Sequence, residues 1–218
     1  MKSKILSFNK HIIVEDFKRY WGASVLYFLA LFFTGPLDMA FLLNKINSNR
    51  YSYDNFNNII DRFLSIKYSD VQIVFSIGLP ILLAMLIYRY LQQSRSTTTM
   101  HSLPITRGQL FNSHNIAGVL LLFIPVLLNS IIMIMILVTY NDGSKLFQEV
   151  FTVAKIFKWM GYTTLNNTIV YFISSLVAMI SGISLVQGML SLILLFFPIG
   201  FGNLMISNLE QLLYGFTI

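Results

Sequence analysis

Three histidines, His11, His101 and His114, are the nitrogen ligands this chain can offer a metal ion, and cysteine is absent. A thiolate site and a disulfide framework are therefore excluded. Three histidines so scattered lack the close spacing of a metal cluster. An intramembrane metalloprotease would also need an acidic base inside its apolar segments. Those segments hold no glutamate, and Asp38 is the carboxylate nearest to one of their cores. It falls near the outer end of its segment, where a solvated or capping role is the simpler account. Ser174, Ser175, Ser181 and Ser184 are candidate nucleophiles. A serine needs an adjacent base to be activated, and no histidine lies near them in sequence. Small hydroxyl residues more commonly pack membrane helices together. Neither an enzymatic activity nor a bound cofactor is expected of this chain.

The elements that carry these residues follow from composition. Of 218 residues, 56% are hydrophobic and 11% are charged. A soluble domain has about 45–50% and about 25%. Mean hydropathy is +0.68. So few charges cannot cover a water-soluble domain of this size, and so high an apolar fraction excludes intrinsic disorder. In a soluble protein the net charge of +6 would suggest nucleic acid. In a membrane protein it reflects basic loops beside anionic headgroups, so the expected partner is the lipid bilayer and not nucleic acid. The expected class is an all-α polytopic membrane protein with a single membrane-spanning domain over residues 1–218.

A span needs about 20 apolar residues to cross about 30 Å of hydrocarbon. Charge-free runs predict five spans, at about 21–43, 71–91, 116–140, 165–184 and 187–208. The stretch from Trp159 to Leu209 carries no charge and is too long for one span. Its break is expected near Ser181-Gly182-Ile183-Ser184 or Gln187-Gly188. Tyr20, Trp21, Tyr88, Tyr90, Tyr140 and Trp159 lie at or near the span ends, as an aromatic belt requires. Pro80, Pro125 and Pro198 fall inside spans two, three and five. A static kink is the simpler account of each, and a transport hinge the other; neighbouring helices can satisfy the carbonyl that a proline frees.

Five spans put the two chain ends on opposite faces. Residues 1–20 together with the loop after span two carry eight Lys and Arg, against seven in the loops after spans one and three. Acids concentrate on the second side: Asp54, Asp61, Asp70, Asp142 and Glu149. The favoured orientation places the N-terminus inside, in a multi-pass protein of the cell membrane. No secretory signal peptide is expected, because no small-residue cleavage site follows the first apolar run.

Residues 8–20 read as an amphipathic helix lying in the interface plane, with Ile13, Phe17 and Tyr20 on one side and Lys10, Lys18 and Arg19 on its basic edge. Residues 53–67 and 145–158 carry similar apolar stripes and read as interfacial helices on the opposite face. A surface helix resting on lipid or on the spans accounts for each. The loop between spans two and three is the most informative segment. Thr106 with Gln109 three residues on has the form of a capping box, and Pro104 marks a boundary. A short helix should start near Thr106, with Leu110 and Phe111 on one side and Arg107 on another. Such a basic helix with apolar knobs could dock in a groove of a soluble partner, or could simply turn the chain.

The string from Tyr88 to Phe111, with its core His101-Ser102-Leu103-Pro104-Ile105-Thr106-Arg107, resembles bacterial permease subunits of the type-2 exporter class of ABC transporters. Ala178–Gly182, Ser184–Gly188 and Leu194–Gly200 are similar to the family's fourth and fifth spans and the turn between them. Phe8–Lys10 and Asp16–Trp21 are similar to its interfacial helix. The resemblance covers most of the chain and implies a six-span permease with a cytoplasmic N-terminal connecting helix, which agrees with the N-inside orientation. The loop would hold a short cytoplasmic coupling helix. Leu103, Ile105, Leu110 and Phe111 would make apolar contact with an ATPase subunit. Pro104, Thr106 and Gln109 would shape the helix start, and Arg107 would add a charged contact or bind lipid phosphate. Two ATPase subunits, carrying ATP and Mg, and a second permease subunit, identical or not, would complete the working unit. ATP-driven closure of the ATPases would then move spans two and three. Asn208–Phe216 resembles the segment before a sixth span, so a truncated permease, or the N-terminal portion of a longer one, is expected. A non-transporting scaffold or sensor subunit is the rival reading. The substrate is not legible: a peptide, lipid, drug or polysaccharide would suit so apolar an interior.

Overall fold

The computed structural model describes residues 9–47, 70–92, 106–139 and 152–212. All regular structure among them is helical: α1 (Lys10–Thr34), α2 (Pro36–Asn47), α3 (Asp70–Tyr88) followed by a 3₁₀ turn (Arg89–Gln92), α4 (Arg107–Thr139), α5 (Val153–Ile180) and α6 (Ser184–Leu212). Five helical stretches are long and apolar enough to cross a membrane: Lys10–Phe41, Val71–Gln92, Arg107–Thr139, Val153–Ile180 and Ser184–Leu212. The chain is an all-α polytopic membrane protein, and its described residues hold five candidate spans, as its charge-free runs predict.

The bundle is laid out by its cross-helix bonds. Asp16 meets His114, Ser24 meets Leu121, and Asn129 meets Phe28. Both positions advance together, so α1 and α4 run side by side in the same direction. Asn167 meets Tyr27 and Tyr171 meets His114, which runs α5 the opposite way. α3 packs chiefly on α5, and α6 leans on α5 and α3. The core between α1, α3, α4 and α5 includes Tyr27, Leu83, Leu121, Val126, Trp159 and Tyr171. α6 buries only Gln187 and Ser191, and most of its remaining side chains are exposed.

Several predicted boundaries are corrected. Of the predicted interfacial helix at 8–20, the described residues 10–20 do not form a separate helix. α1 is capped by Asn9, whose side chain accepts from the His11 N–H at 3.0 Å, and runs unbroken through Tyr20 and Trp21 to Thr34. The Asn9 N–H donates to Ser113 Oγ at 2.8 Å; together with the Asp16–His114 contact, this holds the first turns against α4. The first span then breaks where none was predicted. Pro36 has no N–H for the ladder and disfavours helical backbone at the residue before it. Gly35 fills that position because a Cβ there would lie 2.8 Å from the Leu31 carbonyl oxygen and 2.8 Å from Met133 Cε.

The third span likewise starts at Arg107 and not at 116, so no short helix stands apart from it. Leu110, His114, Ala117, Gly118, Leu121, Leu122 and Pro125 keep one continuous buried stripe from the first turn onward, and nothing interrupts it. Its 33 residues reach about 50 Å, well beyond about 30 Å of hydrocarbon. The fourth span starts at Val153, so residues 153–158 are its first turns and not an interfacial helix. The break before the fifth span, at Ser181–Ile183, falls where predicted. Residues 145–151 and 53–67 lie outside the described residues. Asp38 sits in the first turn of α2, just past the Gly35–Pro36 break.

Pro125 shows how a span proline is accommodated. Lacking an N–H, it frees the carbonyl of Leu121 one turn earlier. Ser24 of α1 donates its hydroxyl to that carbonyl at 2.8 Å. In hydrocarbon a bare carbonyl is costly. Ser24→Ala is therefore expected to destabilise the protein by about 1 kcal/mol in denaturant titration, and to be nearly silent in a Pro125→Ala background, where the helix closes its own bond. An equal effect in both backgrounds would contradict this assignment.

Candidate functional site

The two flanks of the loop between α3 and α4 are both anchored in the bundle. On the second flank the predicted capping box forms: the Gln109 N–H donates to Thr106 Oγ1 at 3.3 Å, and the Thr106 N–H donates to Gln109 Oε1 at 3.4 Å. This satisfies two orphan donors at the start of α4. Ser113 then donates its hydroxyl to the Gln109 carbonyl at 2.7 Å. Thr106 and Arg107 are exposed and Gln109 is partly so. Leu110 is only 5% exposed, taken up by the bundle, and Phe111 packs against the core with its ring 6.1 Å from Tyr88. The two apolar side chains thus fasten this segment inward, and its free surface is Thr106, Arg107 and Gly108. Leu103, Pro104 and Ile105 lie outside the described residues.

One turn further along α4 is the centre of the site. His114 is 2% exposed and Asp16 is 7% exposed. His114 Nδ1 donates to Asp16 Oδ2 at 2.5 Å. The helical spacing that keeps Leu110, Ala117 and Leu121 inward puts His114 inward too. On α1, Asp16 shares a face with Ala23, Tyr27 and Ala30 for the same reason. The histidine ring lies under Tyr90, with centroids 5.0 Å apart, and beside Tyr88 at 6.3 Å. Tyr171 of α5 donates its hydroxyl to the His114 backbone carbonyl at 3.2 Å. Residues from α1, the α3 end and α5 therefore converge on one histidine of α4.

The first flank is held through Gln92. Its Nε2 donates to Gln187 Oε1 at 2.9 Å, and its Oε1 accepts from the Ser184 hydroxyl. Gln187 Nε2 in turn donates to the Ser174 carbonyl at 3.3 Å, and Ser191 Oγ lies 3.2 Å from Ser174 Oγ. This polar chain ties the loop's start to the α5–α6 corner. Inside a membrane protein such bonds serve as helix–helix fasteners.

Ser174 Oγ pairs with Ser191 Oγ, Ser175 donates its hydroxyl to the Phe172 carbonyl and Ser184 donates to Gln92 Oε1; none of these bonds goes to a histidine. Among the described residues no group of three His, Asp or Glu side chains could hold a metal ion. Sequence reasoning missed Asp16, His114, Tyr171, Gln92 and Gln187 as site residues. A signal was present in the stripes: Asp16 and His114 each occupy a core position of an otherwise apolar helical face. Their pairing across 98 positions had no sequence signature. Comparisons with protein-family models, curated proteins and solved structures find no match to this chain.

Proposed function

We propose that this chain is the membrane-spanning permease subunit of an ATP-driven ABC exporter, and that the loop after α3 receives the motion of a separate ATPase subunit. The observation that carries this reading is the double anchoring of that loop. A push on a slack loop is absorbed locally. Here the loop begins at Tyr88, Tyr90 and Gln92 and ends at Leu110, Phe111 and His114, all packed into the bundle or hydrogen-bonded to it. Displacement of the exposed start of α4 therefore carries α3, α4 and, through Asp16, α1 with it. Coupling between sites needs such contiguous packed elements. The resemblance of Tyr88–Phe111 to the coupling stretch of type-2 exporter permeases supports the same reading.

In this account the N-terminus and the loop are cytoplasmic, and the protein resides in the cell membrane. ATP and Mg bind the ATPase and not this chain, and a second permease subunit completes the path. Arg107 and Gly108 at the capped helix start, with Leu103, Pro104 and Ile105 of the loop, form the docking surface. Leu110 and Phe111 act from behind it by fixing its position. The test is a mild-detergent purification of the tagged protein from its native host. A stoichiometric nucleotide-binding ATPase among the co-purifying proteins supports the proposal. A folded, abundant protein that brings down none favours the scaffold or sensor reading.

A further inference from the structure

α6 is packed unlike the other spans. Of its most apolar stretch 6% is buried, against 33–50% in the other four. From Ser191 onward its residues that are not exposed are Ser191, Leu195, Gly202 and Leu209. Steps of four and seven keep these on one helix face, the side that leans on α5 and α3. Gly200, Asn203 and Ser207 are exposed. At 3.6 residues per turn their steps of three and four place them together on the opposite face. A Cβ at Gly200 would meet nothing within 4 Å. Among the described residues, Asn203 and Ser207 have no hydrogen-bond partner. Asn208 beside them turns back and donates to the Leu204 carbonyl at 2.8 Å.

The depth of this face follows from the contacts at the loop end. Gln187 bonds Gln92, whose neighbour Tyr90 lies over His114, which pairs with Asp16. Those residues share about one level of the bundle. Trp21, little more than a turn beyond Asp16 and 61% exposed, is placed as an aromatic at headgroup depth. α6 runs the same way as α1, and Asn203 lies three turns further from that level, roughly 16 Å along a hydrocarbon layer about 30 Å thick. Lipid there offers no hydrogen bond, so a bare amide is costly.

We propose that the Gly200–Asn203–Ser207 face of α6 packs against the same face of a second copy of this chain, with the two Asn203 amides hydrogen-bonded to each other. A copy inserted with the same topology brings its α6 in the same direction. A twofold axis along the membrane normal then sets residue 203 against residue 203. An amide carries both donors and an acceptor, so two of them satisfy each other. Gly200, one turn away, lets the two backbones approach, and the small Ser207 does so on the other side. The inference makes the second subunit of the proposed function an identical copy, yet it needs no ATPase and stands on α6 alone.

The test is disulfide crosslinking of the full chain in native membranes, which the absence of cysteine permits. G200C, N203C and S207C, each alone, are expected to give a crosslinked dimer on mild oxidation. F201C and M205C, also exposed but on other sides of α6, should not. In the cysteine-free chain, energy transfer between donor- and acceptor-tagged copies in vesicles should show N203L associating roughly tenfold more weakly than wild type, from the loss of interhelical amide bonds. G200I, which the fold has room for, should weaken association by holding the backbones apart. No dimer from the three positions, equal dimer from all five, or N203L and G200I chains that associate as wild type would overturn the proposal. So would a position 203 that crosslinks only to a different protein. A monomeric chain that still brings down an ATPase would remove this proposal and leave the coupling one standing; a dimer with no ATPase would do the reverse.

Discussion

Asp16→Ala is expected to lower stability by about 3–5 kcal/mol. The mutation leaves the His114 imidazole buried with its Nδ1–H donor unmatched and removes the contact that joins α1 to α4 at the loop end. Asp16→Asn should cost less, because an amide oxygen can still accept from Nδ1–H. The double change Asp16→Leu with His114→Phe should be milder than Asp16→Ala, since a buried pair replaced as a unit by apolar groups often costs little. The phenyl ring also keeps a ring contact with Tyr90. Trp159, 2% exposed, provides a fluorescence signal for detergent or denaturant titration. An Asp16→Ala protein within about 0.5 kcal/mol of wild type would show that the pair is not desolvated in the membrane.

Gly118→Ala is the second large effect, and two terms of opposite sign decide it. Alanine in place of a helix-interior glycine is favourable by about 1 kcal/mol. Here the added Cβ would lie 2.2 Å from both Cζ and the hydroxyl oxygen of Tyr171. The ring cannot simply step aside, because it is fully buried and its hydroxyl is bonded to the His114 carbonyl. Overpacking of this kind costs about 1–3 kcal/mol and sometimes more, so the clash wins and the net change is destabilising. Tyr171→Ala should remove most of that penalty, which makes the two substitutions strongly non-additive. A stabilised Gly118→Ala protein would mean that α4 and α5 are further apart than described.

The same residues show what was legible in the sequence. Long charge-free runs fix the number of spans, because the bilayer sets a minimum apolar length whatever the packing. The Thr106–Gln109 capping box was readable since it is local, closed by residues three apart. The small polar cluster at Ser181–Ser184 marked the last turn for the same reason. Helix continuity was not legible. Charge at Lys18 and Arg19 ends a hydrophobic run but not a helix, so α1 and α4 extend further at the loop end than their apolar runs indicate. The Gly35–Pro36 break was hidden inside an apolar run. The inward turn of Leu110 and Phe111 depends on Tyr88 and the bundle behind them, and the Asp16–His114 pair depends on two helices lying in parallel. Contacts of that range leave no mark in local spacing.

The docking claim is tested most directly at Gly108, which is exposed with open space around it. The chain has no cysteine, so Gly108→Cys gives a single attachment point for a short thiol-linked photocrosslinker in native membranes. The account predicts a crosslink from position 108 to a nucleotide-binding ATPase, with yield that changes when ATP is added. A position 108 that is labelled only from outside the cell, or that leaves a co-purifying ATPase uncrosslinked in every nucleotide state, would contradict it.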